Sequence, residues 1–133
     1  MRAARVILLA GTLVALGLSA QALAGKTFNT KVEFDTFCDG ALCGDIPEDE
    51  SKFLGTVVSP KRACEAGRRV NVYEAIPGEP RRLLGFDFTD SHGHWYLQRR
   101  YNAVGYAGFA KAPRRALGNG ESCKPARSGT LAD

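Results

Sequence analysis

Gly55-Thr56-Val57-Val58-Ser59, then Cys64, then Arg68-Arg69-Val70-Asn71-Val72-Tyr73, then Pro77-Gly78, then Thr89-Asp90-Ser91-His92-Gly93-His94-Trp95 follow one another between Gly55 and Trp95. Apolar side chains alternate with polar ones in these runs, and turn-forming residues separate them. Alternation with period two marks half-buried strands. A cysteine between two such runs suits a disulfide-held β-sandwich. The stretch describes architecture and not an active site.

Reading outward, Lys31 to Phe37 alternates in the same way and is expected to be a strand. Cys38 to Ser51 is rich in Asp, Glu and Gly and reads as a loop. Phe53 to Ser59 is a strand stopped by Pro60, which lacks a backbone N–H. Arg69 to Ile76 puts Val70 and Val72 on one face, and Pro77 to Pro80 is a turn by composition. Leu83 to Thr89 is a strand with Phe86 and Phe88 facing one way. Asp90 to Gly93 is a tight connection in which Gly93 takes a positive φ. His94 to Gln98 is then expected to pair back as a hairpin, with Trp95 in the core and its N–H on a carbonyl. Val104 to Lys111 is a glycine-diluted strand, Arg114 to Lys124 an irregular loop, and Ala126 to Leu131 a short closing strand. No segment after the N-terminal run has a helical period. Short strands at this spacing indicate an all-β sandwich or small barrel.

The N-terminal run has a different character. Arg2 and Arg5 precede an almost unbroken apolar stretch from Val6 to Ala20, and Ala22-Leu23-Ala24 follows. This reads as a signal peptide cleaved before Gly25. The run is shorter than the roughly 20 apolar residues that span a bilayer. The expected organisation is a signal peptide over 1–24 and one domain over 25–133 with an acidic loop at 38–52. The product is expected to be secreted or otherwise extracytoplasmic, with no stable membrane anchor after cleavage.

Cys38, Cys43, Cys64 and Cys123 all follow that run. An exported chain meets oxidising conditions, so disulfides are the default. Of the three possible pairings, Cys38–Cys43 closes a tight loop and Cys64–Cys123 ties an early segment to the C-terminal one; this pairing is expected. Charge is uneven. Gly25 to Lys52 carries three lysines against seven acids, and Phe53 to Asp133 carries 13 basic residues against seven acids. An acidic arm thus precedes a basic body, which bears on partners and not on fold.

Gly55-x-Val57-x-Ser59, Cys64, Arg69-Val70-x-Val72-Tyr73, Thr89-Asp90-x-x-Gly93-x-Trp95, Gly105-Tyr106 and Cys123, in that order, resemble secreted bacterial proteins of carboxypeptidase-regulatory-like, transthyretin-like fold. The resemblance covers about Phe53 to Leu131. It implies a Greek-key β-sandwich of about seven short strands, supports a Cys64–Cys123 bridge, and implies no catalytic residues. A 5-hydroxyisourate-hydrolysing branch of that fold ends in Tyr-Arg-Gly-Ser, whereas this chain ends Gly-Thr-Leu-Ala-Asp.

Three groups of residues carry chemistry. Arg68-Arg69, Arg81-Arg82, Arg99-Arg100 and Arg114-Arg115 lie at strand ends or loops. If they converge, they form a patch for an anionic cell-envelope polymer, lipid, nucleic acid or acidic protein. If they do not, they are a soluble basic rim. Asp39, Asp45 and Glu48 lie in the disulfide-closed acidic region, where oxygens suit calcium, although the spacing is not that of an EF-hand. The plainer reading is a solvated loop that shields a strand edge. His92 and His94 flank Gly93 and are either a metal or acid–base pair or simply a polar turn. The favoured function is a noncatalytic, cofactor-free binding or structural module acting through its loop arginines. The alternative is a small metal-dependent or hydrolytic enzyme centred on His92 and His94.

Overall fold

The computed structural model describes residues 25–132, so the expected signal peptide lies outside the described residues. The described chain is nearly all β. In chain order its elements are β1 (Thr27–Phe28), β2 (Lys31–Asp39), α1 (Gly40–Cys43), β3 (Glu50–Val58), α2 (Arg62–Glu65), β4 (Arg69–Glu74), β5 (Arg82–Phe88), β6 (His94–Arg100), β7 (Ala107–Ala112), β8 (Arg115–Gly118), β9 (Glu121–Cys123), β10 (Ala126–Arg127) and β11 (Leu131–Ala132). Among these eleven strands, only β2 to β7 have six residues or more. Among the described residues no helix is long and apolar enough to cross a membrane.

Two sheets enclose the core. One has the order β2-β3-β6; the other runs β10-β7-β4-β5, with β11 also pairing to β7. A third, small sheet, β1-β9-β8, forms from Thr27–Phe28 and the Arg114 to Lys124 stretch expected to be irregular. Val32, Phe53, Val57, Trp95 and Leu97 meet Val70, Val72, Leu84, Tyr106, Ala110 and Ala112 in one buried cluster. The alternation in β3 and β4 is what supplies these inward side chains. In β2 the register shifts between Phe34 and Thr36. This bulge lets both Phe34 and Phe37 pack on the core, against Phe53 and Tyr106. Tyr106 donates to the carbonyl of Tyr73 at 2.8 Å.

Three local expectations change. First, β6 does not return beside β5 as a hairpin. It pairs with β3, in register from Glu50↔Arg100 to Thr56↔His94, so Asp90 to Gly93 carries the chain from one sheet to the other. The reason lies in Trp95, which sits opposite Gly55; a side chain at Gly55 would stand 2.4 Å from the indole ring. Second, the Trp95 indole is buried as expected, but its Nε1 has no hydrogen-bond partner among the described residues. Third, Cys38 to Ser51 is not all loop: it holds the end of β2, α1 and the start of β3. Phe86 and Phe88 face one way as read, on the exposed outer face. The turn itself is as read: Gly93 has φ 85°, and its N–H donates to the Asp90 carbonyl at 3.2 Å.

The pairing Cys38–Cys43 and Cys64–Cys123 is present, with Cα–Cα distances of 5.7 and 5.6 Å. The second bridge joins α2 to β9, and both its cysteines are fully buried. Two disulfides are consistent with an extracytoplasmic protein.

Candidate functional site

The four arginine pairs do not act as pairs. Arg68 precedes β4 on the side of the core and is 1% exposed, so its side chain is packed inside and not spread on the surface. Its guanidinium donates to the carbonyls of Pro113 at 2.6 Å, Lys124 at 2.8 Å and Cys64 at 3.4 Å. Those three carbonyls belong to α2 and to the segments flanking β8 and β9. Arg68 thus binds together the end of the sandwich that the Cys64–Cys123 bridge also ties. Arg69, one residue on, points outward.

Arg81 and Arg82 also separate. Arg81 lies 5.9 Å from the Phe109 ring centroid, and Arg82 is bridged to Glu74 at 3.1 Å. Arg99 donates to the Leu84 carbonyl, while Arg100 pairs with Asp49 at 2.7 Å. These two are occupied with holding β5 and the acidic loop. Arg114 donates to the Ser122 hydroxyl at 3.1 Å. Arg115 donates to the carbonyls of Ala63, Ala66 and Gly67 at 2.9 to 3.3 Å.

Two of the pairs nevertheless converge. Arg68, Arg69, Arg114 and Arg115, with Phe88 and Pro113, line one surface pocket of about 350 Å³. Among the described residues none of these four arginines is bridged to a carboxylate; their partners are carbonyls, the Ser122 hydroxyl and the Asn71 side-chain oxygen. Neutral acceptors orient a guanidinium without cancelling its charge. The Arg68 Nε is buried and has no hydrogen-bond partner among the described residues. Burial lowers the Arg68 pKa, and the nearby Arg115 charge lowers it further. Like charges held together without a counterion form a site that favours an anion. Guanidinium forks suit carboxylate, sulfate or phosphate, which accept two parallel hydrogen bonds.

The residues considered for metal binding do not gather. Asp39 caps α1 by accepting from the Leu42 N–H at 3.0 Å. Asp45 is held below the usual carboxylate range by its hydrogen bond to Lys52, at 2.6 Å. Glu48 is exposed. His94 stands opposite Thr56 on β3 and Glu50 lies at the other end of that strand, so the acidic loop and the histidines are about 20 Å apart. Among the described residues no group of three or more His, Cys, Asp or Glu side chains is placed to hold a metal ion.

His92 and His94 sit on an exposed turn, with ring centroids 6.3 Å apart. Asp90 is the organiser of that turn. Its carboxylate accepts from the N–H groups of His94 and His92, and these bonds hold its pKa below the usual carboxylate range. The side chains of Asp90 and His94 are both more than half exposed.

Sequence reasoning pointed to these arginines but missed which of them matter. The alternation rule carried the missing signal, since inward Val70 requires Arg68 to turn inward and Arg69 outward. It also passed over Lys111 and Arg127, which lie singly on β7 and β10. No family model matches the chain, and no curated protein or solved structure is similar to it.

Proposed function

We propose that this protein is an exported, noncatalytic β-sandwich module that binds anionic groups of an envelope or extracellular partner in the arginine pocket. One observation carries the reading: two arginine pairs far apart in sequence surround a pocket and face no carboxylate. The two disulfides support an extracytoplasmic setting, and the apolar N-terminal run supports export by a cleaved signal peptide. The exposed position of the His92–His94 turn, outside any enclosed cleft, supports a noncatalytic role. A transthyretin-like origin belongs to the same proposal, supported by the two-sheet core and the Cys64–Cys123 bridge.

The test is elution from a sulfated-polysaccharide column by a salt gradient. An Arg69→Glu/Arg114→Glu double variant should elute markedly earlier than the parent. Lys31→Glu/Arg100→Glu makes the same change in net charge on exposed residues elsewhere and should shift elution much less. Equal shifts for the two variants would show that only net charge matters and would remove the pocket from the reading.

A further inference from the structure

The arginine pocket opens onto a longer feature. Val70, Val72, Ala110 and Ala112 point into the core, so Arg69, Asn71 and Tyr73 of β4, with Phe109 and Lys111 of β7, stand on the opposite face of the sheet. Register sets Lys111 beside Asn71 on one side and Arg127 of β10 on the other. Phe88 and Phe86 of β5 lie opposite Arg69 and Asn71. Outward positions of β4, β5, β7 and β10 hold no aspartate or glutamate. Among the described residues Arg69, Arg81, Lys111 and Arg127 have no ion-pair partner.

The cations on this face form a stripe. Neighbouring strands are about 5 Å apart and same-face residues along a strand about 7 Å, so Arg69, Lys111 and Arg127 succeed one another at about 5 to 8 Å. Arg81 extends the row, because it and Arg127 lie over the same Phe109 ring, at 5.9 and 3.6 Å from its centroid. The rings act as seats for the guanidiniums. Arg69 lies 3.9 Å over Phe86 in the same way, and its Nε donates to the Asn71 side-chain oxygen at 3.0 Å, which together limit its rotamer freedom.

We propose that the pocket and this stripe together bind a linear acidic polysaccharide. The pocket takes one charged sugar, and Lys111, Arg127 and Arg81 meet successive carboxylate or sulfate groups along the chain. The inference rests on the anion-binding reading of the pocket and names its partner. Charge complementarity over an extended row selects a polymer in preference to a small anion. Single-stranded nucleic acid needs open aromatic faces on which bases stack. Here Phe109 is buried beneath Arg81 and Arg127, and Arg69 occupies one face of Phe86, which is 46% exposed. Duplex DNA is read by a helix or ribbon that enters a groove, and both helices here are four residues long. Phe88 is the uncovered ring beside the pocket, 55% exposed, and it suits the C–H face of a pyranose.

The experiment titrates the disulfide-bonded protein with galacturonate, with oligogalacturonates and sulfated dextran oligomers of increasing length, and with single-stranded oligo(dT) matched in charge. Affinity should rise with the length of either acidic sugar series and level off once the stripe is spanned. Lys111→Gln/Arg127→Gln should lower affinity for the long oligomers about tenfold and leave galacturonate binding unchanged, because it removes two exposed charge contacts. Arg69→Gln/Arg114→Gln should weaken every ligand. All four positions are exposed, and thermal unfolding of each variant confirms that it folds. Binding without length dependence, or a rise that survives Lys111→Gln/Arg127→Gln, overturns the polysaccharide proposal while keeping the pocket. Oligo(dT) binding as tight as the matched sugar oligomer overturns the choice of polymer. No binding of any anion removes the pocket reading as well.

Discussion

The acidic arm and the arginine end of this molecule carry opposite charge, and they treat it differently. In the arm, Asp45 meets Lys52, Asp49 meets Arg100, Glu50 accepts from Gln98, and Asp39 caps a helix. At the arginine end, Arg68, Arg69, Arg114 and Arg115 find only neutral acceptors. A dense run of one sign in a sequence therefore says little about binding. What matters is whether folding brings a counter-charge to it. The arm is neutralised in part by its own fold, and the arginine end leaves charge for a partner.

The comparison extends to the disulfides, one in each region, and the largest expected effect lies there. Replacing Cys64 and Cys123 by serine should destabilise the fold by ~4 kcal/mol, against ~2 kcal/mol for Cys38 and Cys43, on the loop-closure model. The closed segments differ accordingly, with sequence separations of 59 and 5 residues. Denaturant titration of the two double variants measures both values. Equal losses would mean that the arm is as integral to the fold as the arginine end.

Next in size is Arg68→Ala. It strands the carbonyls of Pro113 and Lys124 in a buried setting and should cost about 2–4 kcal/mol. Polyanion binding should also fall, since Arg68 helps position the segment that bears Arg114 and Arg115. An Arg68→Ala protein that keeps both stability and binding would break the link between packing and site at this end.

The smallest effect is expected in the arm. Arg100→Ala removes an ion pair whose side chains are 83% and 58% exposed. Such pairs contribute little, so stability should change by less than ~0.5 kcal/mol. Freed of Arg100, Asp49 should make the arm more acidic without altering polysaccharide affinity. A large loss of stability here would show that the arm's charges hold the fold and do not merely neutralise one another.

Much of the scaffold was legible without coordinates. Alternation put Val70 and Val72 on one face, which is the inward one, because a strand alternates its sides whatever its neighbours are. The cysteine spacing favoured the two bridges that formed. Gly93 marked a turn for a conformational reason that belongs to the residue itself. Less was legible where strand partners had to be chosen. Ala116 and Ser122 pair across β8 and β9, in a stretch whose composition suggested irregular structure. The candidate site was half visible: all four pocket arginines were named among eight, with nothing to separate them from Arg99 and Arg100.

Sequence by itself determined the strand periods, the inward residues, the disulfide staples and the uneven charge, since each depends on local stereochemistry or on counting. Tertiary structure alone decided that β6 lies beside β3, that the Arg68 guanidinium meets the Pro113 and Lys124 carbonyls, and that Arg114 and Arg115 join Arg68 and Arg69 at one pocket. These are properties of long-range pairing. Local alternation sets which way a side chain points relative to its own strand, but only the register and packing of distant strands set what it meets.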